Sequence, residues 1–325
     1  MRKAYWLAVS AAFTLVFAAV PAAFAESWPT KPVKILIGFT PGGPSDSSTR
    51  IIADELTKTL GQAFLIENKP GAGGNLAADT VAHAAPDGYT LFLANSGAFG
   101  VNPSLYEKLP FDPVKDFTPI TMTVTTPLVI IVGADSPAKT FGDLVTMLKK
   151  DGANTNYGTP GIGTLPHIAG EIIKERLGAK STHVPYRGSV QEVEAVMKGE
   201  VQWSVDAPVT VIGPLKSGQI RLLAISSAKR LPILPDVPTT AEVGMPDVTD
   251  GPWYALVGPA GLAPDIIAKL HDATVAALKK PEVIERMMPL GLEPKPMTPE
   301  ETARYMATTR ERWGRVVKAN GIKVE

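Results

Sequence analysis

The sequence predicts an α/β protein of two lobes, each a mainly parallel sheet flanked by helices, joined by a two-strand hinge. Three observations carry this reading. Short apolar strands alternate with Gly/Pro loops and amphipathic helices along most of the chain, the pattern of parallel sheets covered on both faces. The chain beyond Ala25 is about 300 residues long, above the size at which one core usually suffices. Two adjacent β-rich segments, Thr121–Thr125 and Leu128–Val132, follow a Pro-punctuated stretch, and a later strand, Trp253–Val257, follows a second such stretch. The two crossings between lobes would form the hinge.

The first βα unit is strand Val33–Gly38, the loop FTPGGPSD and a helix over Ser47–Leu60, with Ile52, Leu56 and Leu60 on one face and Gly61 as its stop. The alternation repeats as strand Ala63–Glu67, loop KPGAGGN, helix Leu76–Ala84 and strand Thr90–Ala94. NPSLYEKLPFDPVKDFTPI then leads toward the second lobe. There the spacing predicts helix Phe141–Lys150, strand Asn154–Gly158, helix Leu165–Leu177, strand Thr182–Pro185 and helix Val190–Lys198. Strand Val201–Val205, a short helix near Val209–Lys216 and strand Ile220–Ser226 follow. PILPDVPTTAEVGMPDV is too rich in proline for core elements and predicts a surface return path. Helices Pro264–Lys279, Pro281–Met288 and Pro299–Ala319 close the chain on the first lobe. The expected boundaries are therefore 26–124 plus 252–325 for lobe 1 and 125–251 for lobe 2.

Residues 1–25 read as an export signal. Arg2 and Lys3 precede an apolar run, Ala4–Val20, and Ala23 and Ala25 supply the small residues of a processing site. Cleavage after Ala25 and a periplasmic protein are expected. Lys+Arg and Asp+Glu are equal at 32 each, which gives no net field to steer the chain toward nucleic acid or an anionic bilayer. The absence of cysteine excludes disulfides, thiol catalysis, Cys–zinc sites and lipid attachment through an N-terminal cysteine.

In each lobe one strand feeds a loop beginning Thr-Pro-Gly: Thr40-Pro41-Gly42-Gly43-Pro44-Ser45-Asp46 and Thr159-Pro160-Gly161-Ile162-Gly163-Thr164-Leu165-Pro166. Each opens a helix, whose first N–H groups and positive dipole end suit an anion at the carboxyl edge of a sheet. Glycine admits close backbone approach and Ser or Thr adds a hydroxyl donor. Two such loops face to face would make an anion clamp; alternatively the glycines only turn the chain and Ser45 or Asp46 caps a helix. The second loop departs from a dinucleotide fingerprint because Pro166 stands at the third glycine. KPGAGGN lacks the Gly-Lys-Ser/Thr ending of a phosphate loop and could instead line a cleft rim.

Catalytic signatures are missing. There is no G-x-S-x-G and no H-E-x-x-H, and His83, His167, His183 and His271 lack ligand spacing. No metal and no cofactor are expected. His167 reads either as a polar residue at a helix start or as a ligand contact, and Asp206 either as the N-cap of the helix at Pro208-Val209 or as a ligand contact.

Taken together, WPTKPVKILIGFTPGGPSDSSTRIIADEL, IENKPGAGGNLAADTVAHAAPDGYTLFLA, NPSLYEKLPFDPVKDFTPIT, NYGTPGIGTLPHIAGE, VPYRGS and SGQIRLLAISSAKRLPILPDVPTTAEVG span nearly the whole exported chain. They resemble the tripartite tricarboxylate transporter substrate-binding receptors, also called the Bordetella uptake family. The resemblance implies a hinged Venus-flytrap (periplasmic-binding-protein) fold and a small carboxylate ligand: a mono-, di- or tricarboxylate. It also implies delivery, by a monomer, to a large and a small membrane subunit. It places the carboxylate between Thr40, Gly42, Gly43, Ser45 and Asp46 on one side and Thr159, Gly161, Gly163 and Thr164 on the other, with Ser96 and Ala98 in the floor and Asp206 in a role that varies with ligand. Ser47-Ser48 and Phe99-Gly100 fall where members vary. A periplasmic sensor presenting the same liganded state to a signalling kinase would share this site. A secreted hydrolase or isomerase would need a nucleophile–base pair that the sequence does not offer.

Overall fold

The computed structural model describes residues 28–249 and 251–323. The export segment and its cleavage after Ala25 lie outside these residues, as does Asp250 at the return crossing. The chain opens with β1 (Val33–Ile37), α1 (Pro44–Leu60), β2 (Phe64–Asn68), α2 (Asn75–Ala82) and β3 (Thr90–Asn95). A π-helical turn at Gly97–Val101 and α3 (Asn102–Leu105) then precede β4 (Phe117–Thr125). The second lobe comprises β5 (Val129–Gly133), α4 (Phe141–Asp151), β6 (Asn156–Thr159), α5 (Leu165–Leu177), β7 (Thr182–Pro185), α6 (Ser189–Met197), β8 (Trp203–Asp206), α7 (Pro208–Lys216) and β9 (Ile220–Ile225). The chain returns through β10 (Trp253–Pro259), α8 (Pro264–Lys279), α9 (Pro281–Met287), β11 (Glu293–Pro294) and α10 (Pro299–Ala319).

Two mixed sheets result, ordered β11-β4-β10-β3-β1-β2 and β7-β6-β8-β5-β9. The expectation of mainly parallel sheets is refined by the pairing directions. The βα units give parallel ladders β2-β1-β3 and β7-β6-β8, whereas β4, β5, β9, β10 and β11 join antiparallel. The reason lies in the connections: a parallel neighbour needs a crossover helix, and the strands beside the lobe crossings lack one. The two crossings touch, with the Thr126 amide donating to the Pro252 carbonyl (3.0 Å).

Helix boundaries move where proline is involved. α1 begins at Pro44 rather than Ser47, because proline suits the first helical position and Gly43 before it is extended. The shift places Ser45 and Asp46 in the first turn. Asn102-Pro103 likewise starts α3 inside a stretch whose prolines suggested a plain connector. The closing helices were expected on the first lobe, but α10 packs on both. Thr302 Oγ1 accepts from the Met122 amide (3.0 Å), and Met306 lies in the first lobe's core. Further along, Trp313 and Val317 join Ile130, Tyr157, Leu165 and Trp203 in the second.

α1 is tied to the closing helices by a buried carboxylate. Glu55 accepts from Lys280 (2.6 Å) and Lys58 (2.5 Å), which hold its carboxyl at about 2. A folded-state value below the unfolded one contributes stability that is present above about pH 4.5 and is lost as pH falls toward 2. Lys280→Ala should therefore move the Glu55 titration upward in carbon-detected NMR. An unmoved midpoint would show that Lys58 alone sets it.

Candidate functional site

The carboxyl ends of the parallel ladders face each other, and between them lies a narrow cavity of about 30 Å³. The N-terminal residues of four helices line it: Gly43, Pro44 and Ser45 of α1; Thr164, Leu165 and Pro166 of α5; Ser189 of α6; and Ala207 just before α7. Phe39, Asn95, Ser96, Gly97, Pro160, Asp206, Pro252 and Tyr254 complete the wall. Among the described residues, Lys, Arg and His are absent from this lining. The wall thus offers partial positive charge from helix ends and neutral donors from side chains, an arrangement suited to a small anion.

Five of the sequence-predicted residues are in this wall: Gly43, Ser45, Ser96, Thr164 and Asp206. The others build the loops behind it. Asp46 accepts from the Gly42 amide (3.0 Å), pairs with Arg50 through both oxygens (2.9 Å each) and accepts from Asn68 (3.1 Å). Burial raises its carboxyl, but the hydrogen bonds from Arg50, Gly42 and Asn68 outweigh burial and leave it below its ordinary value. Asp46 is thus a strut of the first loop. Ala98, fully buried, donates its amide to Asn95 Oδ1 (3.0 Å) and fixes the floor turn.

The second loop is propped from beneath by an aromatic stack. Trp203, Tyr157, His183 and His167 follow one another with centroid separations of 4.8, 4.8 and 4.3 Å. Thr159 Oγ1 is hydrogen-bonded to His183 Nε2 (2.6 Å) and also receives the Gly161 amide (3.3 Å). His167 Nδ1 accepts from the Gly163 amide (3.3 Å), and Thr164 Oγ1 donates to the Gly161 carbonyl (2.7 Å). Burial pushes His167 down to about 4, while burial together with its neighbour His167 pushes His183 to about 2, so both rings are neutral near pH 7. His167 therefore supports the loop from behind and is not part of the cavity lining.

Across the cleft the backbones approach closely. The Thr40 amide donates to the Arg187 carbonyl (3.3 Å). A Cβ at Gly188 would collide with the Thr40 side chain, and one at Gly163 with the amide of Asn102. Gly161 and Arg187 line a separate groove with Gly73 and Tyr106 rather than the cavity.

Sequence reasoning missed three polar side chains of the lining: Asn95, Ser189 and Tyr254. Asn95 uses Oδ1 for Ala98, which fixes its amide orientation, and its Nδ2 has no hydrogen-bond partner among the described residues. Ser189 donates to Asp206 Oδ1 (2.8 Å). Tyr254 arrives on β10 from the far side of the return path. Ser189 ends the motif VPYRGS and could have been found there; Tyr254 sits in a wholly apolar-looking strand and carried no signal.

The residues 48–322 match the model of the tripartite tricarboxylate transporter family receptor. The chain belongs to this family. Protein BugT of Bordetella pertussis is 32% identical over 302 residues, covering 93% of each chain. The structure of MatC from Rhodopseudomonas palustris with bound malate is 34% identical, with a TM-score of 0.85 and coverage of 89% of this chain and 100% of that one. R. palustris Rpa4515 with adipate is 32% identical, with a TM-score of 0.88 and coverage of 91% and 99%. The fold is accordingly that of a two-lobed periplasmic binding protein. The chain is a solute-binding receptor of this family, not an enzyme.

Proposed function

We propose that this receptor captures a small carboxylate outside the cytoplasmic membrane, in the cavity between its lobes, and presents it to the large and small membrane subunits of a tripartite transporter. The observation that carries the reading is the cavity wall, in which four helix N-termini and neutral donors converge without a cationic side chain. Two adjoining carboxylate complexes in the family, with malate and with adipate, agree with a dicarboxylate of four to six carbons. The donors available to its carboxylate are the Ser45 amide at the start of α1 and the Leu165 amide at the start of α5, the hydroxyls of Ser45 and Ser96, and Asn95 Nδ2. Each charge-assisted hydrogen bond contributes about 1.5–3 kcal/mol, and each helix end about 0.3–1 kcal/mol. Desolvation and ordering oppose these gains, so an affinity near micromolar is expected.

The lobes, 26–124 with 252–325 and 125–251, would close about the paired crossings at Thr126 and Pro252, with the protein acting as a monomer in the periplasm after removal of residues 1–25. A thermal-shift screen with malate, adipate and related mono-, di- and tricarboxylates tests the ligand class. A ligand at 100 times its dissociation constant should add about 2.7 kcal/mol to stability. A panel without any stabilising carboxylate would overturn the reading.

A further inference from the structure

Among the described residues, the lining of the proposed anion cavity contains one carboxylate, Asp206. Asp206 is buried, ends β8 in the cavity wall, and accepts from Ser189 Oγ and the Ala207 amide at Oδ1 (2.8 Å each) and from Thr210 Oγ1 at Oδ2 (2.8 Å). It was also readable as the N-cap of α7, but that position is Ala207. All its partners are neutral. Two titratable groups face it. Tyr254 on β10 shares the cavity wall and is raised by burial and by the Asp206 charge. Glu192 on α6 is fully buried, its two oxygens have no hydrogen-bond partner among the described residues, and burial plus the Asp206 charge hold it well above the usual carboxylate range. β5, which pairs with β8 at Asp206, contributes only Val129 there. A neutral Glu192 beneath an ionisable Asp206 gives a site with room for one negative charge and no counter-cation.

An incoming carboxylate makes a second charge in the same enclosed space. Like charges in a low-dielectric cavity cannot both remain ionised without a large penalty, and the cheaper state takes one proton from solvent. We propose that ligand capture is coupled to uptake of one proton at Asp206, so that the receptor binds its carboxylate more tightly as its surroundings acidify. The balance is simple: ionised ligand, ionised receptor and one proton form the complex, and release returns all three. Burial, partly offset by the hydrogen bonds from Ser189, Thr210 and Ala207, already raises Asp206 to about 6, so the free receptor is mostly ionised above that pH and the linkage operates there. The inference rests on the carboxylate reading of the cavity.

Calorimetry with malate and adipate as probes, on the exported chain, tests it between pH 6.5 and 8.5, where both probes stay ionised. Titrations in pairs of buffers with different ionisation enthalpies should show uptake approaching one proton per ligand. Affinity should fall by up to tenfold per pH unit. Asp206→Asn should abolish both the uptake and the slope and bind at pH 8.5 at least as tightly as the parent. Glu192→Gln should keep them. Binding with a flat pH profile and no uptake in the unsubstituted receptor would overturn the proton coupling while leaving the carboxylate reading intact. Loss of uptake in Glu192→Gln but not in Asp206→Asn would overturn the assignment to Asp206. Failure of both probes to bind at any pH would remove the carboxylate reading and this inference with it.

Discussion

Gly188→Ala should weaken carboxylate binding by roughly 5- to 150-fold while leaving the unliganded protein as stable as before. Gly188 lies at φ 168°, extended backbone that any residue adopts, so alanine brings no strain of its own. Its Cβ would meet Thr40 Oγ1, and beyond that Thr40 Cβ and N, both at 3.2 Å. Thr40 belongs to the first lobe and Gly188 to the second, so the collision exists only when the lobes are together. Overpacking of a tight contact costs about 1–3 kcal/mol, and a ligand that needs the closed arrangement loses apparent affinity in proportion to the closed fraction. Thr40→Gly in the same chain should restore much of the loss, a coupling that a double-mutant cycle measures directly. Small-angle scattering adds a second readout: saturating ligand should shrink the radius of gyration of the parent and shrink that of Gly188→Ala less. Equal affinities for parent and variant would show that the ligand does not require this contact. Gly161→Val is a poorer probe, since Gly161 lies at φ 153°, where a side chain strains the backbone whatever the space, and it stands outside the cavity, so lost binding could come from a distorted loop.

The two Thr-Pro-Gly loops were legible because strand, Gly/Pro loop and helix start are local signals, and a binding site at the carboxyl edge of a sheet follows from them. What the loops do in detail was not. Asp46 looks like a cap or a ligand contact in sequence, but its oxygens are taken by Gly42, Arg50 and Asn68, a network closed by a residue on β2. Glu192 falls on an amphipathic helix where an acidic residue ordinarily faces water. Burial against β6, where its Cγ lies 2.9 Å from the Cβ position of Gly158, depends on glycine at a distant strand. Tyr254 and Asn95 become neighbours of the α5 and α6 starts only once both crossings are made. Periodicity fixes which face of an element is buried, but not which polar groups from separate lobes will meet.

The stack beneath the second loop predicts an acid-dependent change that can be isolated from the rest of the protein. In the folded chain His167 and His183 resist protonation, because they are buried and because a proton on one ring would repel a proton on the other, 4.3 Å away. Glu171 and Lys174 on α5 supply opposite charges nearby, paired to each other at 2.8 Å, so neither dominates. The unfolded chain takes up protons at both histidines below about pH 6.5. Stability from this pair is therefore undiminished above pH 6.5 and is lost as pH falls, by up to about 1.4 kcal/mol per pH unit for each histidine, until the folded rings titrate near 4 and below. Asp206 acts in the opposite sense over the same window, because its folded-state value of about 6 exceeds the unfolded one, and the folded chain then takes the proton first. The unsubstituted protein can thus show a shallow net profile that hides both effects. Comparing it with His183→Phe separates them. Phenylalanine keeps a ring between Tyr157 and His167 but loses the hydrogen bond to Thr159, which should cost about 1 kcal/mol at pH 7.5. Between pH 6.5 and 5 the variant should gain about 2 kcal/mol relative to the parent, because its unfolded state no longer binds that proton. Urea unfolding at the three pH values measures the difference. A gap that stays constant with pH would mean that His183 titrates normally in the folded protein, and that the stack does not hold it neutral beneath the Thr159–Thr164 loop.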